Sequence, residues 1–191
     1  DVRVMSADQS DRVLTVAVGT ERGARTYLLR DGREPQFLGE SRLSVIAHAL
    51  VPSEPITYTA RDGLPIHGYL TLPAGVQQPR SLPLVLLVHG GPWARDRWGE
   101  GIMRQFLANR GYAVLQVNYR GSSGYGRNHM EKARGEFAGR MHDDLVDGVR
   151  WAVERGVADP QRVAIYGASY GGYSALVGAT FTPEVFACAV D

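Results

Sequence analysis

Ser169 is the residue of this chain whose surroundings best suit a nucleophile. It stands in Gly167-Ala168-Ser169-Tyr170-Gly171-Gly172, directly after the apolar run Val163-Ala164-Ile165. An apolar strand, a tight turn carrying a serine and the start of a helix are what a G-x-S-x-G elbow requires. Gly167 and Gly171 let strand and helix pass at close range, and Gly172 adds clearance. The turn throws the hydroxyl outward. It also leaves the Tyr170 N–H, at the helix N-terminus, free to donate to an oxyanion. The plainer alternative is a glycine-rich turn with an incidental serine, because 23 glycines make the bare pattern easy to meet by chance. The strand before it and the helix after it favour the nucleophile.

A second donor to an oxyanion is expected from His89-Gly90-Gly91-Pro92, which follows the buried strand Leu84–Val88. Glycines let the backbone approach a carbonyl with N–H groups exposed. Gly91 is the first choice of donor and Gly90 the second. Each such donor contributes roughly 3–4 kcal/mol of transition-state stabilisation. A plain Gly-Gly-Pro turn would look the same in isolation; its pairing with the elbow favours function.

The general base is harder to find. His48, His67, His89, His129 and His142 all precede Ser169, and only Glu184 and Asp191 follow it as acids. When a G-x-S-x-G serine takes its acid and histidine from later in the chain, none of the five histidines fits the role. His89 is better placed to brace the glycine turn, His67 to sit on an edge strand and His142 at a helix start. Asp143, Asp144 and Asp147 suit a helix N-terminus by capping and dipole. No histidine or cysteine pattern turns them into a metal site, and no metal or cofactor is expected. Arg95, Asp96 and Arg97 read as a solvated loop. Tyr119 and Arg120 fit either a site lining or internal loop packing.

Around these residues the sequence alternates strands and helices. Ile56–Thr59 and His67–Leu72 form a hairpin through Asp62-Gly63, at the edge of a sheet. Leu84–Val88 and Ala113–Val117 are continuous apolar runs, as strands buried on both faces require. Between them a helix places Trp98, Ile102, Met103, Phe106 and Leu107 on one face and stops at Gly111. Asn118 to Gly126 is a loop. A second helix starts near Asp143 and ends at Gly156. Arg162–Tyr166 leads into the elbow, and Phe186–Val190 begins another strand. The pattern implies a mainly parallel sheet covered on both faces. Residues 1–52 differ: Arg12–Val18, Thr26–Leu29 and Gln36–Leu38 read as a three- or four-stranded antiparallel meander, the size of one propeller blade. Pro52 and Pro55 bracket a linker.

Composition narrows the class further. The chain has 191 residues, 44% hydrophobic and 21% charged, which is ordinary for a soluble globular protein. A net charge of +1 gives no reason to expect nucleic acid or an anionic membrane as partner. Cys188 is the only cysteine, so an intrachain disulfide is impossible; this fits the cytoplasm, with periplasm or export left open. The chain opens at Asp1 without methionine or signal peptide and closes at Asp191 just after an apolar run, which reads as a fragment.

Three motifs occur in order: His89-Gly90-Gly91-Pro92-Trp93, then Asn118-Tyr119-Arg120-Gly121-Ser122-Ser123-Gly124-Tyr125-Gly126, then Gly167-Ala168-Ser169-Tyr170-Gly171-Gly172-Tyr173. Together they resemble the prolyl oligopeptidase family of serine peptidases, in its acylaminoacyl-peptidase and dipeptidyl-aminopeptidase-like branch. The resemblance covers roughly residues 53–191. It implies an α/β-hydrolase domain preceded by a β-propeller, with residues 1–52 as the end of the propeller and residues 53–191 as the first part of the peptidase domain. It implies a nucleophile at Ser169, oxyanion donors at Gly91 and Tyr170, and short peptides as substrate, with the triad acid and histidine further along than Asp191. On that reading the 191 residues alone are inactive. A carboxylesterase of the same fold, or a non-catalytic piece, are the rivals, and a homo-oligomer is left open.

Overall fold

The computed structural model describes residues 1–99 and 101–191. Strands β1 (Val2–Ala7), β2 (Val13–Thr20), β3 (Gly23–Arg30) and β4 (Gln36–Glu40) form a four-stranded antiparallel meander in sequence order. Three of these strands lie over the segments named from the sequence, and β1 is the fourth that a three- or four-stranded meander allows. This sheet buries little of its own apolar surface. Val16 is its one buried apolar side chain among the described residues, while Val2, Val4 and Phe37 are more than half exposed. A short 3-10 segment, Arg42–Ala49, leads to the second sheet.

That second sheet has six strands in the order β10-β9-β7-β8-β6-β5. They are β5 (Ser53–Thr59), β6 (Pro65–Thr71), β7 (Leu82–Val88), β8 (Ala113–Asn118), β9 (Ala158–Gly167) and β10 (Cys188–Val190). β8, β7, β9 and β10 are mutually parallel, and the β5–β6 hairpin joins β8 antiparallel at one edge. Pro55 does not flank a linker: it lies within β5, an exposed position on the edge strand, where a missing N–H leaves no ladder bond unmade. All six residues of β8 are buried, as are Leu84, Leu86 and Val88 of β7.

Among the described residues four helices accompany this sheet: α1 (Ile102–Ala108), α2 (Arg127–Glu131), α3 (Arg140–Glu154) and α4 (Tyr170–Phe181). α3 starts three residues earlier than expected, and Gly156 closes it at φ 72°, the left-handed position glycine takes at no steric cost. Met141, Leu145, Val149 and Ala152 of α3 and Ala175 of α4 join the strand residues in one core.

α1 is turned opposite to expectation. Ile102 is 71% and Phe106 48% exposed, whereas Arg104, Gln105 and Ala108 are buried. The polar residues find partners inside. Arg104 donates to Gln116 Oε1 at 3.3 Å and to the Gly99 carbonyl. Gln105 accepts the Val51 N–H at 3.0 Å and returns its amide to the Val51 carbonyl at 2.7 Å. Buried polar groups are tolerated when bonded in this way. Met103 and Phe106 are left lining an open apolar groove with Val190 and Cys188.

The acids of α3 are not its caps: the N-cap position is Gly139, and the Arg140 N–H is taken by Glu136 at 3.1 Å. They hold arginines instead. Asp144, fully buried, accepts the Arg120 guanidinium at 2.7 and 2.9 Å and the Arg120 N–H at 2.8 Å. Arg120 also grips Asp62 of the β5–β6 hairpin at 2.8 and 3.0 Å, and those bonds hold the Asp62 carboxyl down at about 2. Asp143 and Asp147 take Arg61 in the same way. The hairpin, the loop after β8 and α3 are thereby locked together.

Candidate active site

β9 runs parallel to β7 with Val88 opposite Gly167, so residues 89–91 and 168–170 leave the sheet side by side. Ser169 sits in the bend at φ 59° and ψ −121°, a conformation rare for any residue but glycine, and is exposed. Its hydroxyl has no hydrogen-bond partner among the described residues. The bend is fixed by its own backbone: Gly171 N–H donates to Ala168 O at 3.0 Å and Tyr173 N–H to Ser169 O at 2.9 Å.

Sterics explain the glycines around it. A Cβ on Gly167 would come within 2.7 Å of the Gly171 Cα, and one on Gly171 would run into the Val88 carbonyl. Across the bend, a Cβ on Gly90 would stand 3.4 Å from Ser169 Cβ and 3.8 Å from its Oγ. Gly90 is therefore the glycine packed against the serine. Gly91 follows at φ 129°, exposed, with a cis peptide bond to Pro92. The N–H groups of Gly90 and Gly91 donate to none of the described residues. The Tyr170 N–H opens α4, ahead of any intrahelical acceptor.

No histidine bonds to Ser169. His67 Nδ1 pairs with Thr57 Oγ1 at 3.0 Å, and its ring stacks on Tyr125. His129 Nε2 donates to Tyr119 O at 3.1 Å, and His142 Nε2 pairs with Thr182 Oγ1 at 2.9 Å. His48 is exposed in the 3-10 segment. His89 braces the glycine turn: Nδ1 donates to Gly90 O at 2.8 Å, and Nε2 lies 2.9 Å from Ser122 Oγ. Burial lowers the pKa of its ring, which keeps it neutral and leaves Nε2 to accept a hydrogen bond from the Ser122 hydroxyl. Of the two later acids, Glu184 is exposed, and the Asp191 carboxylate lies against Gly172, where a Cβ would collide with it.

The Arg95–Arg97 segment is not simply solvated. Arg95 lies over the Tyr125 ring at 4.5 Å. Asp96 is partly buried, accepts the Gln116 amide at 2.7 Å and has its Oδ2 unpaired. Burial pushes this carboxyl up to about 7. Tyr119 and Arg120 are both internal, with Tyr119 stacked on His89 at 4.4 Å. The sequence reading missed the roles of Asn118 and Ser122, both fully buried, and of Gln116. A signal existed for Gln116, a polar residue inside an otherwise apolar strand. Ser122 offered none, since its partner lies 33 residues away.

This geometry, a strained exposed serine facing a glycine turn at the ends of adjacent parallel strands, agrees with the comparisons to known proteins. Residues 101–191 match the family model described as the prolyl oligopeptidase family. The chain is 45% identical to dipeptidyl aminopeptidase BIII of Pseudoxanthomonas mexicana, over 100% of this chain and 29% of that protein. Over residues 101–191 the chain carries the sequence pattern of the prolyl oligopeptidase family. It is also 36% identical to dipeptidyl peptidase family member 6 of Caenorhabditis elegans, over 98% of this chain and 28% of that protein. A puromycin-hydrolyzing peptidase of Mycobacterium tuberculosis superposes with a TM-score of 0.81 at 28% identity, over 94% of this chain and 28% of that one. The acylaminoacyl peptidase of Pyrococcus horikoshii does so with 0.69 at 27% identity, over 90% and 28%. The chain thus has the α/β-hydrolase fold of this family and spans about three tenths of the length of the curated relatives it matches.

Proposed function

We propose that the protein carrying this chain is a serine peptidase acting on short peptides, of the dipeptidyl- or acylaminoacyl-peptidase kind, and that Ser169 is its nucleophile. The observation that carries this is the exposed Ser169 hydroxyl, held in a strained bend against Gly90 with no partner of its own. Ser169 attacks the scissile carbonyl. The N–H groups of Tyr170 and of Gly91 or Gly90 hold the oxyanion, and an acyl-enzyme forms that water releases. Contact with Ser169 favours Gly90 over Gly91 as the nearer donor. Trp93, 59% exposed, and Phe137 beside it give the site an apolar rim suited to a peptide side chain.

On this reading residues 1–52 are the end of a propeller and residues 53–191 the first part of the peptidase domain. The exposure of Val2, Val4 and Phe37 on the meander supports that, because such a sheet needs neighbours to bury them. The lone, exposed Cys188 supports a reducing compartment such as the cytoplasm. No described helix is long and apolar enough to cross a membrane. Because all five histidines are engaged elsewhere or remote, the base comes from outside these 191 residues. Losing the histidine costs a serine protease on the order of a million-fold in kcat, so the isolated chain is expected to show no turnover.

The test is the hydrolysis of a dipeptidyl anilide and an acylaminoacyl anilide by the full-length protein and its Ser169→Ala variant. Loss of both activities in the variant is expected. Turnover that survives the substitution refutes the assignment.

A further inference from the structure

The loop carrying Gly90 and Gly91 is held almost entirely by one other segment. Near its start, Ser122 Oγ sits 2.9 Å from His89 Nε2, while the other ring nitrogen of His89 holds Gly90 O at 2.8 Å. Tyr119 stacks on the same imidazole and donates its hydroxyl to His89 O at 2.8 Å. In the middle, Ser123 N–H donates to Ala94 O at 2.8 Å. At the far end, the Asn118 amide meets both backbone groups of Asp96. Its Oδ1 accepts the Asp96 N–H at 2.7 Å, and its Nδ2 donates to Asp96 O at 3.2 Å. Asn118 Nδ2 and Arg95 both reach the Tyr125 hydroxyl, at 2.8 and 3.1 Å. Between these anchors lies only Gly90-Gly91-Pro92-Trp93, which contains both glycine amides.

We propose that Ser122 and Asn118 are positioning residues that clamp the glycine loop at its two ends and set where its N–H groups point. The Asn118–Gly126 stretch then serves the site chiefly as a support. It is the second half of a two-part device whose first half is His89–Asp96. The direction of the Gly91 amide follows from where the His89 ring holds the Gly90 carbonyl of the same peptide, and that ring is held by Ser122; the Gly90 amide shares its peptide with the His89 carbonyl, which Tyr119 holds. Both clamp residues are fully buried, so neither needs to touch substrate to act. Within this stretch Gly124 stands in the left-handed region at φ 86°, with the Arg95 guanidinium against it. The inference rests on the reading of Gly90 and Gly91 as oxyanion donors.

The test uses the full-length protein with Ser122→Ala, Asn118→Ala and Asn118→Asp. It measures kcat per titrated active site, KM on an aminoacyl anilide, and the affinity of a peptidyl trifluoromethyl ketone, whose serine adduct carries an oxyanion. Misplacing a donor by about 1 Å costs on the order of 100-fold. We expect kcat to fall by about 10- to 100-fold in each alanine variant and ketone affinity to fall in parallel, with KM within about 2-fold, because the lost interaction exists only in the transition state. Asn118→Asp keeps an acceptor for the Asp96 N–H and is expected to recover part of the loss. Should Asn118→Ala fail to fold, Ser122→Ala, which removes one oxygen, decides the matter. Unchanged kcat and ketone affinity in Ser122→Ala overturn the proposal. A fall in kcat without a matching fall in ketone affinity also overturns it. Turnover surviving in Ser169→Ala overturns instead the serine reading beneath it, so the two failures are distinct.

Discussion

The elbow at Ser169 and the loop after His89 stand side by side, yet they are shaped by different forces. The elbow is fixed by backbone contact. Gly167 meets Gly171, Gly171 meets the Val88 carbonyl, and the Ser169 dihedrals follow from how little room remains. The loop is fixed by side chains reaching from a different part of the sequence: Tyr119, Ser122 and Asn118. A bend made of close packing tolerates no added atom. A loop made of clamps tolerates small changes of bulk and fails when one polar atom is removed. Each region should therefore break under a different kind of substitution.

The largest effect is expected beneath the clamp. Arg120 is buried against Asp144 and bridges to Asp62, so Arg120→Met leaves a buried carboxylate without its partner. Removing one member of such a pair costs about 3–5 kcal/mol. Chemical denaturation of the full-length protein should show a loss of that size, and Arg120→Met combined with Asp144→Leu should recover most of it. A loss of less than about 1 kcal/mol in the single variant would mean the arginine does not anchor the loop.

Next comes the elbow. Gly171→Ala drives a methyl into the Val88 carbonyl, and overpacking of this kind costs about 1–3 kcal/mol. Labelling of Ser169 should fall along with stability, because the bend must open. A variant as stable as the parent, with normal labelling, would show that backbone contact does not set the elbow.

The smallest effect sharpens the other side. Burial raises the Asp96 carboxyl to about 7, so the folded state favours its neutral form. The sign follows from proton linkage. Between about pH 4 and pH 7 the unfolded chain has released this proton and the folded one has not, so the stability the group contributes is lost as pH rises through that window. Asp96→Asn removes the titration. Its melting temperature should exceed that of the parent at pH 8 and approach it near pH 4. The gain should be about 1–2 kcal/mol at most, because the new amide leaves a donor unpaired. An unchanged pH profile would place Asp96 in contact with water.

The same contrast explains what could be read in the sequence. The strand, bend and helix around Ser169 lie within a few residues of one another, and glycine sterics are local, so spacing alone revealed them. The burial of β7 and β8 in a mainly parallel sheet followed from two continuous apolar runs. The far contacts were not legible. Ser122 to His89 spans 33 residues and Asn118 to Asp96 spans 22, and neither serine nor asparagine in a glycine-rich loop announces burial. α1 misled for a related reason. Its apolar stripe suggested a core face, while Arg104 and Gln105 were buried through partners in β8 and before β5 that no periodicity could supply. The acids of α3 looked like caps because their arginines come from the hairpin and from the end of β8.

The most direct test is to treat the full-length protein with a fluorophosphonate and locate the adduct by mass spectrometry of its peptides. The account predicts a single modification on Ser169, formed at a rate that falls when either clamp residue is removed. An adduct on another residue, or labelling that persists in Ser169→Ala, would contradict it.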